Sequence, residues 1–130
     1  MSRILIALAA AFTLASCSWA PMRELQSSFS KLFQHKGEPA LAAGIRKYDN
    51  GDYAEATKNL QTALELGLSD ADRVRAHKYL AFIHCASGRE SRCRDEFRLA
   101  LQIDSQMQLA PAEAGHPIWG PVFRSVKAGH

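Results

Sequence analysis

Apolar and polar residues alternate at helical spacing through the middle of the chain. In four successive stretches the apolar residues recur every three or four positions, which is the period of an amphipathic α-helix. These stretches are residues 40–48, 53–66, 70–86 and 90–103. Pro39 stands just inside the start of the first stretch, and Gly67 and Gly88 follow the second and third, as is typical of helix boundaries. The pattern predicts four helices joined by short turns.

Two flanking segments carry the same signature. Apolar residues share one helical face in both: Leu25, Phe29, Leu32 and Phe33 in residues 23–34, and Trp119, Val122, Phe123 and Val126 in residues 118–127. We interpret the second segment as a final helix that seals the array. The first segment predicts a short amphipathic helix that packs as a cap, and a helix that lies on a membrane or a partner is the alternative.

The first 17 residues predict a bacterial lipoprotein signal. Arg3 precedes an apolar run over residues 4–15, which is too short to cross a membrane, and the run closes in Leu-Ala-Ser-Cys at Cys17. This ending matches the lipobox, in which the cysteine thiol accepts a diacylglycerol before the chain is cut. Because Ser18 follows instead of Asp, we expect a lipid-anchored chain facing the periplasm from the outer membrane. A plain signal peptide with an incidental cysteine is the alternative.

The two central helix pairs repeat one pattern at an interval of 37 residues, from Gly51 to Gly88. Each copy has a glycine, a small residue, a bulky apolar residue and an apolar pair: Gly51, Ala56, Leu60, Ala63 and Leu64, then Gly88, Cys93, Phe97, Ala100 and Leu101. The pattern resembles the tetratricopeptide repeat. The resemblance implies an all-α fold, a solenoid of about two helical hairpins with an N-terminal helix and a C-terminal capping helix.

A predicted organisation follows from these features. It comprises a signal peptide over 1–16, a lipidated segment with a short helix over 17–37, two repeats over 38–104 and a capping segment with its helix over 105–130. The chain resembles small tetratricopeptide lipoproteins found with type VI secretion systems. The features that carry this resemblance are the lipobox, the short array and residues 76–83 and 112–123. That resemblance implies a scaffold or adaptor that binds an envelope or secretion-system protein. A pilotin or outer-membrane assembly lipoprotein is one alternative, and a tethering regulator of a peptidoglycan enzyme is the other.

The repeat also implies where a partner binds, because the first helix of each pair lines its concave surface. The implied groove is lined by Leu41, Ile45, Tyr48, Arg75, Lys78 and Phe82. An exposed apolar strip usually marks a binding surface. The competing interpretation is that the helix over 23–34 fills the groove, which would make the strip internal core.

Two cysteines remain after Cys17, and they lie on either side of the Gly88 turn. Antiparallel helices of one hairpin bring Cys85 and Cys93 near each other, and an oxidising compartment permits pairing. We therefore predict a Cys85–Cys93 disulfide. Two buried free thiols are the alternative.

Charge and motifs argue against catalysis and nucleic-acid binding. The 130 residues hold 16 basic and 13 acidic side chains, for a net charge of +3 without a basic run. His77 and His84 could converge on a cation, but they stand where the repeat usually has aromatic residues and no carboxylate nearby completes a metal site. No nucleophile elbow, phosphate loop or zinc motif is present. We expect no enzyme activity, metal, small-molecule substrate or cofactor, apart from the covalent lipid on Cys17.

Overall fold

Two antiparallel helical hairpins and a C-terminal segment make up residues 36–130, the part of the chain that the computed structural model describes. The elements in these residues are α1 (Glu38–Asp49), α2 (Tyr53–Leu66), α3 (Asp70–Ala86), α4 (Glu90–Ile103), α5 (Pro111–Ala114) and α6 (Trp119–Ala128). The described residues include helices and no strand, so the predicted all-α, tetratricopeptide-like fold is confirmed. The predicted signal segment, Cys17 and the predicted helix over 23–34 lie outside the described residues.

The repeated glycines form the turns of the two hairpins. Gly51 and Gly88 have φ angles of +77° and +72°, in the left-handed region that a Cβ atom disfavours. Directly after the first turn, the carboxylate of Asp52 accepts the backbone N–H of Glu55 at 3.3 Å and caps the start of α2. The glycine of the sequence pattern therefore sets the geometry that reverses the chain.

Small residues allow the paired helices to approach each other. A Cβ atom on Gly44 of α1 would lie 2.8 Å from Cγ of Leu60 on α2. Protein interiors are close-packed, so a larger residue at position 44 would separate the helices. In the second hairpin the corresponding residues, Ala81 and Phe97, are both fully buried.

Buried apolar side chains form two adjoining clusters. The first joins α1, α2 and the inner side of α3: Leu41, Ala56, Leu60, Ala63, Leu68, Ala76, Leu80 and Ile83. The second joins α3 and α4 to the C-terminal segment: Ala81, Phe82, Cys85, Cys93, Phe97, Ala100, Leu101, Met107, Leu109, Trp119, Val122, Phe123 and Val126. Tyr48 and Tyr79 pack against both clusters, so the hairpins share one continuous interior.

The C-terminal segment, residues 104–128, covers the end of the second hairpin. Helix α6 buries Val122, Phe123 and Val126 and packs mainly on α4. Nζ of Lys127 donates to the carbonyl oxygen of Met107 at 2.6 Å, which ties α6 to the chain that leads into it. Among the described helices, none combines the length and the apolar content needed to cross a membrane.

Candidate protein-binding surface

The six residues of the predicted groove lie on α1 and α3, in two different environments. Leu41 and Phe82 are each 2% exposed, and Arg75 is exposed. Ile45, Tyr48 and Lys78 are half-buried. Leu41, Ile45 and Arg75 line one depression on this face, whereas Lys78 and Phe82 contact the C-terminal segment, so the face formed by α1 and α3 has two halves.

The C-terminal segment covers one half of this face, which we call the closed half. The ring of Trp119 stacks on Phe82 with centroids 4.5 Å apart, and His116 stacks on Trp119 at 3.4 Å. Nζ of Lys78 lies 2.8 Å from Oε1 of Glu113, and the indole N–H of Trp119 donates to the Glu113 carbonyl at 3.0 Å. Lys78 and Phe82, expected to face a partner, are thus engaged by the chain itself.

Tyrosine side chains line the border between the two halves. Tyr48 contacts Tyr79 edge-on with centroids 5.0 Å apart and stacks on Tyr53 at 5.6 Å. Burial, reinforced by the neighbouring Tyr53 and Tyr79, raises the pKa of Tyr48 to about 12. Burial also raises the pKa of Tyr79, with the charges of Asp49 and Glu113 adding to the effect. A tyrosine phenol is protonated near neutral pH even without such a shift, and both phenols can donate a hydrogen bond.

The other half of the face, the open half, is a depression of about 320 Å³. It is lined by Glu38, Leu41, Ala42, Ile45, Asp72 and Arg75. Its apolar side chains come from α1, whereas its charged side chains are Glu38 at the start of α1 and Asp72 and Arg75 on α3. Nη1 of Arg75 lies 3.1 Å from Oδ1 of Asp72, and the guanidinium side chain is 55% exposed. The open half can therefore take an apolar side chain beside a charged one.

A second depression, of about 450 Å³, lies on the far side of Arg75. It is lined by Asp70, Ala71, Val74, Arg75, Ile103 and Asp104. Arg75 borders both depressions, and Nη1 of Arg73 lies 3.1 Å from Oδ1 of Asp70 at the rim. Most of the charged side chains that line the two depressions are acidic: Glu38, Asp70, Asp72 and Asp104, against Arg75.

The structure brings the two predicted disulfide partners together. The sulfur atoms of Cys85 and Cys93 are 2.01 Å apart and the Cα atoms are 5.1 Å apart. The pair joins the end of α3 to the start of α4, and both residues are buried. It lies away from the residues that line the open half.

The two helical histidines make separate polar contacts and do not converge. Nδ1 of His77 lies 2.7 Å from Oε2 of Glu96 on α4, a carboxylate partner that the sequence interpretation missed. Nδ1 of His84 accepts a hydrogen bond from Nε of Arg89 at 3.0 Å. Burial lowers the pKa of His84, and the Arg89 charge lowers it further. Within residues 36–130, no group of three or more His, Cys, Asp and Glu side chains could hold a metal ion.

Parts of several curated proteins resemble this chain. A 59-residue stretch, 45% of the chain, is 37% identical to the photosystem I assembly protein Ycf3 of Synechococcus sp. (strain CC9605). A 62-residue stretch, 48% of the chain, is 37% identical to the protein of the same name from Parasynechococcus marenigrum (strain WH8102). The chain spans about a third of the length of these relatives, 34% and 36% respectively. No protein family profile and no solved structure matches the chain.

This comparison corrects the predicted location. We expected an outer-membrane lipoprotein, but the curated relatives are photosystem I assembly proteins, so the outer-membrane prediction is wrong. The prediction of the outer membrane depended on a single residue, Ser18. That serine gives no information about which protein the repeats bind. The comparison supports the coarser prediction, which is a tetratricopeptide-like helical protein.

Proposed function

We propose that this chain is a protein-binding adaptor that holds a segment of its partner in the open half of the α1–α3 face. The observation that carries the proposal is the contrast between the two halves. The chain's own C-terminal segment fills the closed half with aromatic and ionic contacts, whereas in the open half of the described chain Ala42 is exposed and Ile45 is half-buried. A role in assembling other proteins also agrees with the names of the curated relatives.

The closed half illustrates how this face holds a polypeptide segment. There, an aromatic ring lies on an apolar side chain, and an ion pair beside it sets the register through Lys78 and Glu113. The open half offers a similar combination, in which Ile45 of α1 is the apolar contact and Arg75, one helical turn before Lys78 on α3, is the charged one. Burying one side chain on Ile45 would contribute about 1.5–3 kcal/mol.

The acidic rim favours a partner segment with apolar residues and a net positive charge. Complementary charge mainly increases the rate of association and excludes wrong partners. The border tyrosines add rigid, half-buried aromatic surface of the kind that is enriched at protein interfaces. An amphipathic helix is a partner element that combines apolar and charged side chains of this kind.

A charge reversal at Arg75 tests this proposal, and the chain contains a matched control. Arg75 lies 3.1 Å from Asp72 and Arg98 lies 2.7 Å from Asp95, each three residues earlier, and the two arginines are 55% and 54% exposed. Only Arg75 lines the open half. We expect Arg75→Glu to weaken binding of the partner at least tenfold, about 1.4 kcal/mol, and Arg98→Glu to leave it unchanged.

The partner for that measurement is first captured by cross-linking in the producing cells and then purified for titration. Equal affinities of the two variants would contradict the proposal. Both arginines are more than half exposed and each ion pair contributes at most about 1 kcal/mol to folding, so neither substitution should unfold the chain.

The client of the adaptor is a narrower proposal, namely a protein of a type VI secretion apparatus. Its support is the resemblance of residues 76–83 and 112–123 to small lipoproteins of such systems. The relatives named above serve a different assembly, so the neighbouring genes test this point. Sheath and baseplate genes beside this one would support the proposal, whereas secretin, cell-wall hydrolase or photosystem genes would contradict it.

A further inference from the structure

Two adjoining depressions lie where α3 begins and α4 ends, at the end of the second hairpin opposite the Gly88 turn. One of them is the depression of about 450 Å³ described above. The other has a volume of about 370 Å³ and is lined by Asp70, Arg73, His77, Leu99, Gln102 and Ile103. Because Asp70 and Ile103 line both depressions, the two form one continuous surface, which we call the hairpin-end surface.

Apolar side chains of both helices are accessible on the hairpin-end surface of the described chain. Leu99 is 41% exposed and Ala71 is exposed, whereas Val74 and Ile103 are half-buried. Single exposed apolar residues are ordinary on protein surfaces, but neighbouring ones that line adjoining depressions indicate a contact with another macromolecule. The hairpin-end surface therefore has the apolar content of a protein interface.

The hairpin-end surface carries both an exposed apolar side chain and a recess that could receive one. Leu99 is the exposed large apolar residue of this surface. A cavity of about 150 Å³ is enough for a benzene molecule, so the depression of about 450 Å³ beside Val74 has room for a leucine side chain from another molecule. A contact between two identical surfaces needs this combination, because each copy supplies the inserted side chain and the recess.

The charges of the hairpin-end surface are balanced. Two carboxylates, Asp70 and Asp104, are matched by two guanidinium groups, Arg73 and Arg75, and all four residues are exposed. A partner with an excess of one charge would meet as much repulsion as attraction here. A second copy of the same surface, turned by a two-fold axis, carries the opposite charge for each of these four groups. The charge pattern therefore favours a second copy as the occupant.

We propose that two copies of this chain associate through the hairpin-end surface as a two-fold symmetric dimer, with Leu99 of each copy in the depression beside Val74 of the other. The proposal goes beyond the proposed function, because Leu99, Val74 and Ile103 do not line the open half. Fewer residues line this surface than the roughly 20–30 per partner of a standard interface, so the dimer is weak and reversible.

Sedimentation velocity of the full chain in a density-matched detergent, over a wide range of protein concentrations, measures this association. We expect a reversible equilibrium between monomer and dimer without larger species, because a two-fold symmetric contact uses up the surface of both copies. A chain that stays monomeric at every concentration, or that forms larger oligomers, would overturn the proposal.

Two matched substitutions locate the interface. Leu99 and Ile118 are both exposed apolar residues, at 41% and 48%, and only Leu99 lines the hairpin-end surface. We expect Leu99→Arg to raise the dissociation constant of the dimer at least tenfold and Ile118→Arg to leave it unchanged. Equal dissociation constants of the two variants would show that the copies meet elsewhere.

A pair of charge reversals tests the symmetry without changing an apolar residue. Asp70→Arg gives the hairpin-end surface an excess of positive charge, and Arg73→Asp gives it an excess of negative charge. Like charges then face each other in a dimer of either variant, whereas opposite charges face each other in a mixed dimer. We expect each variant alone to be monomeric and an equimolar mixture to form dimers with one copy of each. Dimers of a single variant, or a mixture that stays monomeric, would contradict the proposed dimer.

Discussion

His84 is a buried polar side chain in the mostly apolar second half of α3. It is 6% exposed, and its Nδ1 accepts the Nε–H of Arg89, which requires the neutral ring. Burial lowers its pKa, and Arg89 and Arg92 lower it further, whereas Glu96 acts in the opposite direction. The unfolded chain therefore binds a proton at His84 more readily than the folded chain does.

This difference predicts that acid destabilises the fold through His84. The contribution of a neutral, buried histidine is complete above its unfolded pKa of about 6.5 and is lost as pH falls through its lower folded pKa. We expect the free energy of unfolding in urea to decrease between pH of about 7.5 and 5.5, and to decrease less in His84→Phe. An equal decrease in both proteins would show that other groups account for the effect.

Cys17 lies outside the described residues, and its lipid attachment stays a prediction from the sequence. The test is chemical and does not depend on the membrane concerned. Labelled palmitate should enter the wild-type chain in the producing cells and should not enter Cys17→Ala. Label that persists in Cys17→Ala would contradict the lipobox interpretation.

At the scale of helices, the Cys85–Cys93 pair connects α3 to α4 across the Gly88 turn. Closing a loop of this length should stabilise the fold by roughly 2–3 kcal/mol in the chain-entropy description. We expect the unfolded chain, alkylated without reductant, to remain unmodified at Cys85 and Cys93, and the reduced chain to take two alkyl groups there. Modification of both cysteines in the unfolded, unreduced chain would show that they are free thiols.

Local periodicity was sufficient to predict α1 to α4, because each helix repeats its apolar positions over three or more turns. It could not predict α5, which is a single turn that begins at Pro111. It also missed the partner of His77, because Glu96 is 19 positions away on another helix. Contacts between elements depend on how the helices pack, and one sequence does not display that packing.

The same limitation explains the outcome for the candidate site. The repeat pattern identified the inner face of α1 and α3, and Ile45 and Arg75 do line an accessible depression. It could not show that Trp119 would lie on Phe82, since a terminal segment has no repeat position. The open half therefore follows from the repeat, whereas the closed half follows from the C-terminal segment alone.

At the scale of the whole molecule, Trp119 joins the C-terminal segment to the repeats. It is 9% exposed, stacks on Phe82 and donates to the carbonyl of Glu113. We expect Trp119→Ala to lower the free energy of unfolding by about 3–5 kcal/mol. The neighbouring Ile118 is 48% exposed, so Ile118→Ala should change it by less than about 0.5 kcal/mol. The measurement is unfolding in urea. Similar decreases in the free energy of unfolding of Trp119→Ala and Ile118→Ala would contradict the role assigned to Trp119.

The central claim is that a partner binds the open half of the α1–α3 face. Methyl NMR of the full chain, with labelled isoleucine side chains, tests it most directly. Ile45 lines the open half, whereas Ile118 is an exposed apolar side chain in the C-terminal segment and Ile83 is in the core. We expect the captured partner to shift the Ile45 methyl signal and to leave those of Ile118 and Ile83 in place. A shift at Ile118 with Ile45 unchanged would place the binding surface elsewhere and contradict the account.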